Sequence, residues 1–353
     1  MKNLINRRIR VLSVAGVCGA AMLHCPAYGG PVKVNVSVPD SLTGIVFHIG
    51  KEKKYFKKEG LDVRLVPWKG NRGTVFKVLA GGTMDVAACG FVANYTGLMR
   101  ESGARIVAGC MGFVKGKPAS RYYLVRKDLA GEIKSFADLK GRNVGTPVPG
   151  RTLHIWLLRK LDKAGLSEKD FTGKVVPDNI FPAMFAGKEL DVGIMSEPLA
   201  SQLVNKGLAE VFAGTDIADE TSPRSMLYYS GRFMKNRQAA RRFMTAYLRS
   251  VREFYRAAPE EINDIAVRIW GMPIEANVLS RLNLITDGKI DTQALMAEQE
   301  YALSRGWIKT KADEKDFIDS SYMRYANKVL RTEDRAREES GGQLSGAAPA
   351  VGQ

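Results

Sequence analysis

Over residues 32–38 (Val-Lys-Val-Asn-Val-Ser-Val) apolar and polar side chains alternate, the pattern of a strand with one buried face. Helical spacing takes over across 44–58 and is closed by Gly60; a second strand follows at 61–66. A helix over 74–80 ends on Gly81-Gly82, an apolar strand fills 84–89, a helix 91–101 and a strand 105–111. After a loop rich in Gly, Lys and Pro at 112–119, residues 121–126 again read as a strand. A second set begins near Asp128. It has a short helix at 135–139, with Ser135 as N-cap and Asp138 three residues on, a strand at 143–146, a helix at 152–164 closed by Gly165, and a weak strand at 174–176. A helix at 181–186, a strand at 190–195, a helix at 198–206 and a strand at 208–212 complete it. From 236 to 330 the pattern is nearly all helical, with helices at 236–257, 260–269, 274–283, 291–305 and 314–330. Residues 331–353 are charged, then rich in Gly, Ala and Ser, and predict a disordered tail.

Alternating short strands and helices predict an α/β protein. One internal echo divides it. Leu79-Ala80-Gly81-Gly82-Thr83-Met84-Asp85-Val86-Ala87 is matched in register by Phe185-Ala186-Gly187-Lys188-Glu189-Leu190-Asp191-Val192-Gly193. Each is a helix ending at glycine, a tight turn, and an Asp at the mouth of a buried strand. The repeat predicts two similar lobes; a chance match of a common helix-to-strand loop is the alternative.

The N-terminus changes where such a protein would work. Lys2, Arg7, Arg8 and Arg10 precede an apolar, small-residue run over 11–23, and Ala27 and Gly29 offer cleavage sites. This predicts a secretory signal peptide over 1–27, an uncleaved membrane anchor being the alternative. The run is shorter than the ~20 apolar residues of a comfortable span. Cys18 follows Val17 and Cys25 follows His24, which disfavours lipidation.

The formal charge is +16, from 53 Lys and Arg against 37 Asp and Glu. A basic surface steers anions toward it. The cations are scattered, without the dense blocks or interleaved aromatics of nucleic-acid binders, so no nucleic-acid partner is expected. Beyond the signal only Cys89, Cys110, His48 and His154 remain of the Cys and His residues, with no C-x-x-C pair, so neither a metal nor another cofactor is expected. Cys89 and Cys110 end strands expected to be adjacent and parallel. Pairing is open to them in an oxidising compartment, but poor geometry favours free thiols.

Several stretches, in order, resemble the substrate-binding proteins of nitrate/sulfonate/taurine and thiamine-precursor ABC importers. They are Lys51-Glu52-Lys53-Lys54-Tyr55-Phe56-Lys57-Lys58-Glu59-Gly60-Leu61-Asp62-Val63, the two Ala-Gly-x-x-x-Asp-Val corners, Ser135-Phe136-Ala137-Asp138-Leu139-Lys140-Gly141-Arg142-Asn143-Val144-Gly145, Ser196-Glu197-Pro198 and Gly306-Trp307-Ile308. Two positions depart from the pattern: Lys54 stands where that family usually has Gly, and Ser196 where an aromatic is common. The resemblance implies a type II periplasmic binding protein fold, with a hinge of two crossing strands and a helical C-terminal region packed on the first lobe. It implies lobe 1 at 32–121 plus 228–330 and lobe 2 at 122–227, with the hinge at Tyr122, Tyr123, Tyr228 and Tyr229. Its functional implication is a monomeric, periplasmic, non-enzymatic protein that closes on a small sulfonate, carboxylate or heterocycle and delivers it to an ABC permease and ATPase complex. A periplasmic sensor docking on a receptor and an enzyme of the same fold are the alternatives.

In such a fold the ligand lies at the C-terminal ends of the strands, where helix N-termini present free N–H groups. The residues at those corners are Asp40, Ser41 and Thr43; Asn71, Arg72 and Thr74; Gly90, Phe91 and Asn94; Thr146, Gly150, Arg151, Thr152 and His154; and Ser196 and Glu197. Gly150-Arg151-Thr152 is the strongest group, joining close backbone approach, a guanidinium and a hydroxyl. An N-cap Thr beside a solvated Arg is its alternative reading. Glu197 could contact a cationic or amide group, or simply be the favourable acid of a helix first turn.

Overall fold

The computed structural model describes residues 30–339, apart from 40–41, 69–72, 114–120, 148, 177–179, 198, 215–221, 272, 275–278 and 280–281. The expected signal segment, Asp40, Ser41, Asn71, Arg72 and residues 340–353 of the expected tail lie outside the described residues. Among the described residues no helix is long and apolar enough to cross a membrane.

Two five-stranded sheets carry the structure. The first contains β1 (Val32–Pro39), β2 (Leu61–Trp68), β3 (Val86–Cys89), β4 (Arg105–Phe113) and the late strand β10 (Ser222–Tyr229), in the order β2-β1-β3-β10-β4. The second contains β5 (Arg121–Arg126), β6 (Asn143–Thr146), β7 (Thr172–Val175), β8 (Val192–Ser196) and β9 (Ala209–Gly214), in the order β7-β6-β8-β5-β9. The plans coincide. In each, three parallel strands are followed by one antiparallel strand that has crossed from the other sheet: β5 comes directly after β4, and β10 directly after β9. The central strands are buried on both faces, which is why β3 (Val-Ala-Ala-Cys) reads as a continuous apolar run.

Helices cover both faces of each sheet. One face of the first sheet holds α1 (Ile45–Glu52) and α2 (Tyr55–Lys58) under the long α9 (Arg237–Arg256). Helix α9 turns Ala240, Phe243, Tyr247, Val251 and Phe254 inward at spacings of three and four, the stripe that burial requires. The other face holds α3 (Gly73–Ala80), α4 (Thr96–Ser102), α11 (Thr292–Ser304) and α12 (Glu314–Phe317), around Phe76, Tyr228 and Phe317. Helices α8 (Gly231–Lys235), α10 (Pro259–Trp270) and α13 (Ser321–Glu339) complete the C-terminal region, with α13 lying on α9 and β4. The expected packing of this region on the first lobe is what the structure has. On the second sheet, α5 (Thr152–Lys163) covers Tyr123, Val144 and Val192, while α6 (Phe181–Ala186) and α7 (Leu199–Asn205) cover the opposite face.

Four expectations are corrected. The helix expected over 44–58 breaks at Lys53–Lys54, because Lys54 is left-handed at φ 59° and cannot continue α1. Residues 331–339, expected in a disordered tail, complete α13, where Glu333 and Asp334 bond Arg249 and Arg252 of α9 at 2.7 and 2.9 Å. The chain re-enters the first sheet at Ser222, so 222–227 belong with the first sheet and Arg121 with the second. Finally, β3 and β4 are not neighbours. Strand β10 lies between them, so Cys89 and Cys110 stand two strands apart, ~9.5 Å at the usual strand spacing. Neither is in a disulfide and both are buried, and burial pushes the thiol of Cys110 up to about 12.

Candidate functional site

The second half supplies the best-defined corner. Strand β6 ends at half-buried Thr146, and Gly150 adopts φ +78°, a conformation that side chains rarely accept, before α5 starts at Thr152. The turn rests on the first half. Arg151 forms a backbone bridge with Val92, and a Cβ on Gly150 would come within 3.3 Å of the Asn94 side chain. Gly90–Asn94 and Gly150–Thr152, candidates from separate halves, are therefore brought together. Arg151 is half-buried and Thr152 is 4 % exposed.

His154 is built into this corner. Its Nδ1 accepts the Gly150 N–H at 3.2 Å, so that nitrogen carries no proton, and Nε2 then donates to Glu168 Oε1 at 2.9 Å. The ring also packs against Trp307, with centroids 5.3 Å apart. Both nitrogens are committed, and the residue fixes the Gly150 turn.

At the edge of β8, Ser196 is 4 % exposed, and among the described residues its hydroxyl has no hydrogen-bond partner. Its register partner is Arg121, a buried arginine at the start of β5. Directly opposed residues on antiparallel strands project to the same face. A buried hydroxyl and a buried guanidinium thus share the sheet's edge, the chemistry that suits an oxyanion. Sequence reading treated Arg121 only as a strand residue, because its pairing with Ser196 is visible only through the register.

Glu197 does something else. Its carboxylate accepts the backbone N–H of Ser201 at 3.1 Å and the Ser201 hydroxyl at 2.9 Å, satisfying the first turn of α7. The reading as an acid at a helix start is the one this geometry supports.

The remaining candidates are dispersed. Thr43 is buried in a 3-10 turn after β1, and Thr74 is exposed on α3. Gly90 is half-buried, whereas Phe91 is fully buried and stacked on Phe317 at 5.9 Å, which makes it core. The four tyrosines expected at a hinge are sheet residues. Tyr122 packs beside α6 and α7, Tyr123 lies edge-on to Phe136 at 5.0 Å, Tyr228 edge-on to Phe76 at 5.2 Å, and Tyr229 donates its hydroxyl to the Ala240 carbonyl at 3.0 Å. The segments that follow β4 and β9 in the chain, 114–120 and 215–221, are outside the described residues.

One residue of this corner was not anticipated. Glu298, in α11, is 5 % exposed and accepts a hydrogen bond from Thr152 Oγ1 at 3.1 Å. Nothing in the sequence marks it, since a Glu inside a helix is ordinary. Among the described residues no group of His, Cys, Asp and Glu is placed to hold a metal ion.

Comparison with known proteins locates this architecture. A Brucella abortus (strain 2308) protein assigned only as a binding protein is 27 % identical over 293 residues, covering 80 % of this chain and 84 % of that one. The periplasmic aliphatic sulphonate binding protein SsuA of Escherichia coli superposes with a TM-score of 0.65 at 17 % identity, over 83 % of this chain and 99 % of that one. The desulfurization enzyme DszB superposes with a TM-score of 0.61 at 15 % identity, over 85 % and 100 %. The shared fold is the two-lobed one of periplasmic binding proteins, and it houses catalysis as well as binding. At the level of sequence the model of the NMT1/THI5-like family matches residues 43–262, more than half of the chain, and the protein belongs to that family.

Proposed function

We propose that this protein is the solute-binding component of an ABC importer, exported to the periplasm by its N-terminal segment, which captures a small ligand between its lobes and hands it to a permease. The observation that carries the reading is the assembly of one corner from both halves, where Val92 and Asn94 meet Gly150 and Arg151. A ligand touching both sides favours the closed arrangement by its differential affinity for it.

The second sheet's edge points to the ligand class. Arg121, Arg151, Thr146 and Ser196 offer guanidinium and hydroxyl groups, and the buried Ser196 hydroxyl has no hydrogen-bond partner among the described residues. A sulfonate or carboxylate head group matches these donors, in keeping with the ligand named for SsuA. Binding without turnover is supported by the side chains that would otherwise act: both His154 nitrogens are engaged, and the Cys110 thiol is held protonated by burial.

A thermal-shift screen with taurine, alkanesulfonates, aromatic acids, nitrate and pyrimidines tests the reading. A sulfonate or carboxylate should raise the melting temperature in a dose-dependent way, and Ser196→Ala should weaken its affinity in calorimetry while leaving the melting temperature of the ligand-free protein near that of the parent. No stabilisation by any of the compounds, or conversion of one during incubation, would count against a solute-binding role.

A further inference from the structure

Thr152 and Glu298 are 146 residues apart and come from the two halves, yet they share a hydrogen bond in the interior. Glu298 is 5 % exposed, and Thr152 is its hydrogen-bond partner. Among the described residues no Lys, Arg or His nitrogen lies within 4.0 Å of the carboxyl. A buried carboxylate without a cation is costly, whereas a buried carboxylic acid with a hydroxyl partner is not. The surrounding contacts join the same two elements: Arg305 of the loop after α11 bonds Asp162 of α5 at 2.6 Å, Arg159 of α5 lies over the Tyr301 ring at 5.3 Å, and Trp307 packs on His154.

We propose that Glu298 is a proton-operated latch between the halves, so that seating α5 on α11 takes up one proton at this carboxyl. On the solute-binding reading above, capture of the ligand then depends on pH through a residue that need not touch it. Burial pushes the carboxyl up to about 8, opposed by the Thr152 hydroxyl and by the charge of Arg159. The other charged or titratable groups on the packed elements are Arg151 before α5, His154, Lys160, Asp162 and Lys163 on α5, Tyr95 after β3, Arg224, Tyr228 and Tyr229 on β10, and Glu300, Tyr301 and Arg305 along and beyond α11. Asp162 is held by Arg305, and His154 by Glu168.

The direction follows from linkage. With α5 displaced, the carboxyl meets water and returns to its ordinary value of 4.5. Between that value and about 8, closing the contact binds a proton, so the closed-to-open ratio falls as pH rises, by up to about tenfold per pH unit. It is insensitive to this group below and above that window.

The test is a fluorescence energy-transfer measurement on the full chain without ligand. Dyes are carried on cysteines introduced at exposed Lys169 and Glu260, the native Cys89 and Cys110 being buried. In the parent, the ratio should fall by up to about tenfold per unit from roughly pH 6 to 8. Glu298→Gln keeps an acceptor for Thr152 but does not titrate, and should make the ratio constant. Thr152→Val should lower the ratio throughout this range while keeping its slope. A flat parent profile, or an unchanged slope in Glu298→Gln, overturns the proposal; if that variant does not fold, a flat profile in Thr152→Val does so. Because no solute is added, the outcome is separate from whether the cleft binds one.

Discussion

Asp85 and Asp191 hold the same position in the two halves and make the same bonds. Asp85 accepts the Asn35 N–H on β1 at 2.9 Å and pairs with Arg232 at 2.7 Å; Asp191 accepts the Asn143 N–H on β6 at 2.8 Å and pairs with Arg126 at 2.9 Å. Their carbonyls, too, receive equivalent donors, the N–H groups of Ser230 and Arg126 at the ends of the inserted strands. The Asp191 carboxylate ties β6 to the antiparallel β5, and that of Asp85 ties β1 to α8, the helix that follows the antiparallel β10. Removing either, by Asp85→Ala or Asp191→Ala, leaves a backbone N–H without its acceptor and should cost about 1–3 kcal/mol. Urea denaturation checks this, and a cost near zero for either would show that water replaces the bond.

The two left-handed lysines, Lys54 at φ 59° and Lys188 at φ 58°, stand where glycine would be relaxed. In the first half, Gly82 at φ 69° fills the place that Lys188 takes in the second. Lys54→Gly should stabilise the protein by roughly 0.5–1 kcal/mol, the relief of backbone crowding less the entropy glycine loses on folding. Lys188→Gly should gain less, since Lys188 lies 3.6 Å from Asp128 in an exposed pair. Loss of melting temperature in Lys54→Gly would contradict this account.

Gly193 and its register partner Gly145 form a flat floor for the Phe181 ring. A Cβ on Gly193 would lie 1.9 Å from Phe181 Cζ. Gly193→Ala must displace that ring and should destabilise by about 1–3 kcal/mol or more. The double variant Gly193→Ala, Phe181→Leu should recover part of the loss in the same denaturation assay.

Acid should remove two local supports. The N–H of Lys134, with the hydroxyl and N–H of Ser135, holds Asp138 below the usual carboxylate range; the N–H and hydroxyl of Ser167 do the same for Asp170. A depressed value means that the contribution is present above the unfolded value of 3.8 and lost as pH falls through the folded one. Asp138→Asn and Asp170→Asn should therefore be less stable than the parent at about pH 6 and match it near about pH 2. A deficit of equal size at both pH values would exclude this linkage.

What could be read from the sequence was local. The alternation of β1, the glycine-ended helices and the capping box at Ser135 and Asp138 each lie within a few residues, and the structure has them. The echoed corners were legible for the same reason. The break at Lys54 was not, because a lysine gives no sign of a left-handed backbone and the apolar spacing runs straight through it. Strand β10 was seen only as a return point, since Ser222–Tyr229 shows no clean alternation and acquires its identity from the β3 and β4 edges it fills. The site was legible as corners but not as partnerships. Arg121 meets Ser196 through strand register, and Thr152 meets Glu298 across most of the fold.

The exchange of strands between sheets also governs the order in which this chain can fold. A polypeptide emerging from its N-terminus has β1 to β4 early, but the place between β3 and β4 stays empty until residues 222–229 arrive. Two unpaired edges wait through the synthesis of the entire second sheet, and open edges invite association with other chains. Helix α9, which lies over α1 and α2 on one face of the first sheet, comes later still. No N-terminal fragment ending before β10 contains a finished sheet of the first kind. The first sheet therefore closes only after the chain has run through every strand of the second.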